Sequence, residues 1–210
     1  MTRAPALGAD EVHVVRLDLT AAPGEDAWGL LSPDERARAE RLRFERHRDR
    51  FVAAHAGLRE VLARYLGTAA ESVRLDADAH GKPVVAAASL QFNLSHSDAV
   101  ALVAVAHDRA VGVDVERIDP RRDVLALADR ALDPADAASV RTAPPESRAA
   151  VFYRAWARRE AVVKCTGAGL GGPPAAGPLR VVDLDVGEGY AAAVAIAGDS
   201  PARVDLVERP

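Results

Sequence analysis

The chain has 210 residues, 49% of them hydrophobic and 28% charged, and a formal net charge of −4. That is enough apolar chain to bury a core in one large domain or two small ones, and it excludes a disordered chain. The acidic balance argues against general nucleic-acid affinity, which needs a basic footprint. The single cysteine, Cys165, excludes a disulfide framework and a cysteine-based metal site. Met1 to Asp10 lack the apolar core of a secretion signal, and the longest apolar run, Ala99 to Ala106, is far short of a membrane span. A cytosolic protein is the expectation.

Val12 to Leu17 reads as a strand, rich in β-branched residues. Ser32 followed by Pro33, with Glu35 three positions on, forms a capping-box helix start. Helical composition then runs on to Leu66, where Gly67 stops it, and Phe51, Ala54, Leu58, Val61, Leu62 and Tyr65 supply a buried face. The first part of this stretch carries Arg36, Arg38, Arg41, Arg43, Arg46, Arg48 and Arg50, interleaved with Glu35, Glu40 and Glu45. Two readings stand for it: a solvated helix face, or an anion-binding patch for a small phosphorylated ligand. Short strands are expected at Val84–Ala86, Gln91–Leu94, Val100–Ala106 and Val111–Val115. A helical stretch opens at Leu132-Asp133-Pro134 and is interrupted at Pro144-Pro145, and a further helix covers about Glu146–Thr166. A Gly/Pro-rich loop, Gly167–Pro178, precedes closing strands near Val181–Leu184, Ala192–Ile196 and Val204–Val207.

The two halves match at one fixed offset. Leu31 and Leu132, Pro33 and Pro134, Phe51 and Phe152, and Val61 and Val162 all lie 101 apart, and the same shift lays Val12 and Val14 on Val113 and Val115. An internal duplication predicts an α+β fold of two similar lobes, 1–106 and 107–210, about a pseudo-twofold axis. A cleft between them would be a favoured ligand site.

Gly112-Val113-Asp114-Val115-Glu116 is the sharpest local feature. Residues two apart on a strand share a face, so Asp114 and Glu116 project together and repel unless a cation sits between them. Oxygen ligands with no His or Cys nearby suit Mg²⁺; the competing reading is an edge strand whose polar face meets water. Trp156, Glu160 and Lys164, at helical spacing of four, form one stripe. Either Glu160–Lys164 is an ordinary surface pair, or Glu160 is a third metal ligand and Lys164 a phosphate contact. Phe92-Asn93-Leu94-Ser95-His96-Ser97 closes a strand with small polar groups, either a self-satisfied turn or donors to a phosphate. His80-Gly81-Lys82-Pro83 is a turn carrying a lysine. The glycines at 167–172 follow a helix, which excludes the dinucleotide fingerprint, where a strand comes first.

In series, these four segments resemble the Sfp-type 4'-phosphopantetheinyl transferases: Gly81-Lys82-Pro83, the Phe92–Ser97 run, Gly112–Glu116, and Trp156-Ala157-Arg158-Arg159-Glu160-Ala161-Val162-Val163-Lys164. The resemblance spans about Leu31 to Leu170. Arg159 stands where the family usually has Lys, exchanging a point donor for a planar fork. The resemblance implies that Asp114, Glu116 and Glu160 hold Mg²⁺, with Mn²⁺ able to stand in. It implies that Lys82, His96 and Lys164 contact the phosphates of coenzyme A with Ser95 nearby, and that arginines such as Arg43, Arg46 and Arg50 help bind the 3'-phosphate. Glu160 is then also a candidate general base toward a serine of an apo acyl or peptidyl carrier protein, with Lys164 and His96 completing the catalytic group. The nucleophile comes from the partner, which accounts for the lack of a Ser-His-Asp or Cys-His set. Because both halves of the cleft lie in one chain, a monomer is expected. Two other classes stay open on the residues alone: a coenzyme A-binding module without catalysis, and a metal-dependent phosphohydrolase.

Overall fold

The computed structural model describes residues 6–77, 81–85, 89–167, 177–199 and 202–208. In chain order the first half runs β1 (Glu11–Asp18), α1 (Glu25–Leu30), α2 (Pro33–Glu40), α3 (Glu45–Leu66), β2 (Leu75–Ala77), β3 (Pro83–Val85), β4 (Leu90–Ser97) and β5 (Val100–His107). The second half runs β6 (Val111–Arg117), α4 (Val124–Ala131), α5 (Pro134–Thr142), α6 (Arg148–Thr166), β7 (Leu179–Leu184), β8 (Tyr190–Ala197) and β9 (Arg203–Glu208). One sheet has the order β4-β5-β1-β9, a second β6-β8-β7, and β2-β3 is a separate ribbon. The mixed α+β class expected from the sequence is the class observed. A strand followed by three helices occurs in each half. The last strand returns to the first sheet, where β9 pairs parallel to β1.

The side-chain alternation of β1 and β5 explains the layering. Val15 and Leu17, with Ala101, Val103 and Val105, face α3 and pack on Leu58, Leu62 and Phe92. Val12 and Val14, with Val100, Leu102, Ala104 and Ala106, face the other way onto Val111, Val113, Val115, Val194 and Ile196. Strands covered on both faces read as continuous apolar runs, and β5 (Val-Ala-Leu-Val-Ala-Val-Ala-His) is one. Each fully buried Val or Leu contributes about 1.5–3 kcal/mol, so the sheet-on-sheet layer ties the two halves together mainly through apolar burial.

The face of the second sheet that turns away from this layer is built of small residues. Ala157, Ala161 and Cys165 of α6 meet Ala193 and Ala195 of β8. Gly112 on β6 lies so close to the helix that a Cβ there would stand 2.2 Å from the Ala161 carbonyl oxygen and 2.3 Å from the Cys165 amide nitrogen. The helix backbone therefore rests directly on the strand that carries Asp114.

The single helix expected from Ser32 to Leu66 is two. Ser32 does form the capping box with Glu35, but α2 ends at Glu40 and Phe44 takes an extended conformation as N-cap of α3. Leu42, at the break, packs with Phe51 and Val52, a tertiary contact that local composition does not encode. Glu35 fastens the two helices: its carboxylate receives the Ser32 amide, His55 and the fork of buried Arg59 at 2.7–3.2 Å. Burial alone would raise this carboxyl, but the donated hydrogen bonds outweigh it and bring the pKa to about 2. Gly67 ends α3 in the left-handed region, as expected. Residues 168–176 of the glycine-rich loop, together with His80 and Ala86, lie outside the described residues.

Candidate functional site

Asp114 and Glu116 sit on the face of β6 that α6 covers, and α6 brings Trp156, Glu160 and Lys164 onto them. Asp114 is 3% exposed. Its Oδ1 receives the Lys164 ammonium at 2.6 Å and the Ser95 hydroxyl at 2.9 Å. Lys164 also donates to the Ser95 oxygen at 2.9 Å. Glu116 receives the Trp156 indole N–H on Oε1 at 3.1 Å and the Ser97 hydroxyl on Oε2 at 3.2 Å. The stripe read from helical spacing thus reaches across to the strand.

Two atoms of this cluster are left over. Among the described residues, Asp114 Oδ2 and Glu160 Oε1 are the buried side-chain oxygens with no hydrogen-bond partner, an arrangement that costs about 1–3 kcal/mol per group. Burial raises the pKa of all three acids, and the charge of Asp114 raises Glu116 and Glu160 further. Lys164 at 2.6 Å pulls Asp114 the other way without overcoming its burial. The cluster is short of positive charge. A hard divalent cation held by one or two carboxylates and completed by water fits that deficit and the oxygen-only donor set. No three His, Cys, Asp or Glu among the described residues stand close enough to enclose a cation unaided. The fit therefore rests on the two orphaned oxygens, with Glu116 beside them.

A carboxyl raised in the folded state binds its proton more tightly there than in the unfolded chain. Its contribution to stability is present at low pH and is lost as pH rises from the ordinary carboxylate value through the raised one. The three acids therefore destabilise the cation-free protein near neutrality. Glu35, with its pKa depressed to about 2, acts oppositely, and its stabilisation is lost as pH falls from about 4.5 through 2. Replacing Glu160→Gln is expected to raise the melting temperature in EDTA at pH 7 by a few degrees, about 1 kcal/mol. A lower melting temperature in a calorimetric scan would contradict it.

Two clefts flank the cluster. The larger, about 810 Å³, is lined by Arg50, His96, Ser97, Glu116, Arg117 and Trp156 among others, and its far wall is apolar, with Leu127, Phe152 and Tyr153. The smaller, about 600 Å³, is lined by Glu35, His55, Arg59, Phe92, Asn93 and His96 among others. His96 borders both. Burial in the cleft walls pushes its pKa down to about 4, and the charges of His55, Lys164 and Arg38 add to the effect. Solvent still reaches the ring, which leaves it a neutral donor and acceptor at the mouth. Glu116 lines the larger cleft, whereas Asp114 and Glu160 are not among the lining residues of either.

The other residues singled out from the sequence are placed differently. Arg50 borders the larger cleft and pairs with Asp98 at 2.6 Å. Arg43 and Arg46 lie over the ring of exposed Phe44, 5.4 and 5.9 Å from its centroid, and line neither cleft. The Lys82 ammonium donates to the carbonyls of Val111 and Lys164 at 3.2 and 3.1 Å, joining β6 to the end of α6. Arg159 stacks over Trp156. Arg117 and the Glu35–His55–Arg59 network are not among the residues singled out from the sequence, and Asn93 and Ser97 are there only as part of the Phe92–Ser97 run. For Asn93, Ser95 and Ser97 a signal existed, since polar residues at a period of two along an otherwise apolar strand mark a face in use.

Comparison with known proteins gives the family. Residues 110–205 match the 4'-phosphopantetheinyl transferase superfamily, and residues 23–108 match the family described as 4'-phosphopantetheinyl transferase, N-terminal. The chain is 40% identical over 168 residues to 4'-phosphopantetheinyl transferase HetI of Nostoc sp., covering 77% of this chain and 71% of that protein. It is 33% identical over 142 residues to 4'-phosphopantetheinyl transferase psf-1 of Bacillus pumilus, covering 67% and 60%. It is 42% identical over 89 residues to 4'-phosphopantetheinyl transferase AcpT of Salmonella typhimurium, covering 41% and 46%. The chain belongs to the 4'-phosphopantetheinyl transferase superfamily.

Proposed function

We propose that this protein transfers the 4'-phosphopantetheine arm of coenzyme A to a serine hydroxyl of an apo acyl or peptidyl carrier protein, with Mg²⁺ and with release of 3',5'-ADP. The observation that carries the reading is the pair of orphaned oxygens, Asp114 Oδ2 and Glu160 Oε1, beside the Lys164 ammonium. A pyrophosphate displacement mainly needs its negative charge neutralised and its nucleophile aligned. Asp114, Glu160 and Glu116 would hold the cation; when bound, it neutralises and templates the pyrophosphate. Lys164 supplies a fixed positive charge at the same place. His96 and Arg50 are donors at the cleft wall for further phosphate oxygens. Glu160 accepts the serine proton through a relaying water, since its carboxylate lines neither cleft, as the serine oxygen bonds the β-phosphorus. The phosphorus–oxygen bond to the leaving 3',5'-ADP breaks with its electron pair on oxygen. Lys82 contributes chiefly by fixing β6 against α6. The reading carries with it a cytosolic monomer; no helix among the described residues is long and apolar enough to cross a membrane.

The direct test is to incubate the protein with coenzyme A, Mg²⁺ and a panel of apo-carriers, and to look for the phosphopantetheine adduct by mass spectrometry. An adduct on the carrier serine that EDTA prevents is expected. Free phosphopantetheine formed without a carrier would indicate a hydrolase, and EDTA-insensitive coenzyme A binding without labelling would indicate a binding module.

A further inference from the structure

β6 is the edge of its sheet, and an edge strand exposes backbone groups that must find partners. Its partners are side chains of β4. The Val113 amide donates to Asn93 Oδ1 at 3.0 Å, the Val115 amide to Ser95 Oγ at 3.4 Å and the Arg117 amide to Ser97 Oγ at 3.0 Å. Each acceptor lies 20 residues before its donor, so the contact advances two residues at a time along both strands. Lys82 continues the row on the Val111 carbonyl. A row of side chains thus stands where a backbone ladder would otherwise run.

A serine hydroxyl has one proton to give. While accepting from Val115, Ser95 directs its proton to Asp114 Oδ1, and while accepting from Arg117, Ser97 directs its proton to Glu116 Oε2. Each serine therefore grips the strand by one amide and aims the carboxylate of the residue just before that amide. Asn93 touches neither carboxylate and fixes only the strand.

We propose that Asn93, Ser95 and Ser97 are positioning residues, a side-chain seam that sets the register of β6 against β4 and orients Asp114 and Glu116 toward the cation. Partners of this kind, which hold ligands without touching the metal, govern metal affinity. The inference rests on the cation reading given above, but the seam itself is open to a separate measurement. In the full chain, Asn93→Ala and Ser97→Ala are compared with the wild type and with Ser97→Thr, which keeps the hydroxyl. One readout is amide hydrogen exchange at Val113, Val115 and Arg117; the other is the Mg²⁺ concentration giving half of the maximal rise in melting temperature. Asn93→Ala and Ser97→Ala are expected to speed exchange along β6 about tenfold or more and to raise the Mg²⁺ midpoint about three- to tenfold. Ser97→Thr is expected to stay near the wild type. Unchanged exchange in both alanine variants overturns the seam, and faster exchange with an unchanged midpoint overturns its orienting role. If the wild type itself shows no Mg²⁺ response, the cation reading falls, the orienting role falls with it, and exchange alone decides the seam.

Discussion

Asp114→Ala is expected to reduce carrier labelling about a thousandfold or more, and to abolish the Mg²⁺-induced rise in melting temperature. The size follows from what the side chain does at once. It supplies one of the two orphaned oxygens, takes the Lys164 ammonium at 2.6 Å and receives the Ser95 hydroxyl. Removing a single preorganised charge-stabilising group in an enclosed site typically costs a hundred- to a thousandfold; here the cation goes with it. Glu160→Ala should cost a similar amount, and the double variant little more than either single one, because residues acting as a unit are not additive. The fold should survive both changes, since the apolar layer of Val111, Val113 and Val115 lies on the opposite face of β6. Wild-type turnover by either variant in a mass-spectrometric carrier assay would remove the carboxylates from the mechanism.

How much of this was legible in the sequence depends on the range of the forces involved. The Asp114/Glu116 pair and the Trp156–Glu160–Lys164 stripe could be read because strand and helix periodicity place side chains on faces without reference to the rest of the chain. The 101-residue offset likewise put Val12 and Val14 of β1 onto Val113 and Val115 of β6, and Pro33 of α2 onto Pro134 of α5. What escaped was set by tertiary contact. Leu42 anchors the break between α2 and α3 with nothing in local composition to announce it. The short helices α1 and α4 are held by packing, since neither is long enough to be stable alone. The tie of the Lys82 ammonium to two backbone carbonyls, one on β6 and one on α6, is likewise not announced by the turn that carries it. Only the meeting of those elements creates that site.

Among the described glycines, Gly112→Ala should be the most damaging substitution. Its Cβ would lie 2.2 Å from the Ala161 carbonyl oxygen, 2.3 Å from the Cys165 nitrogen and 2.9 Å from the Cys165 Cα, all backbone of α6, where no rotamer change can relieve the contact. The helix must lift off the strand. Overpacking of this kind costs about 1–3 kcal/mol or more, which for a chain of this size lowers the melting temperature by about 2–4 °C per kcal/mol. The loss of function should be out of proportion to that. Asp114 and Glu116 stay with β6 while Glu160 and Lys164 travel with α6, and a displacement near 1 Å at a reacting site can cost a hundredfold. Gly57→Ala is the matched control: its Cβ would stand 2.7 Å from Leu17 Cδ1, the far end of a side chain in the core on the other side of β1. That variant should lose less stability, because the Leu17 side chain can move and Ala suits a helix interior better than Gly, and its folded fraction should keep its specific activity. Equal activity losses in the two variants, after correction for folded protein, would show that the seating of α6 on β6 does not set the site.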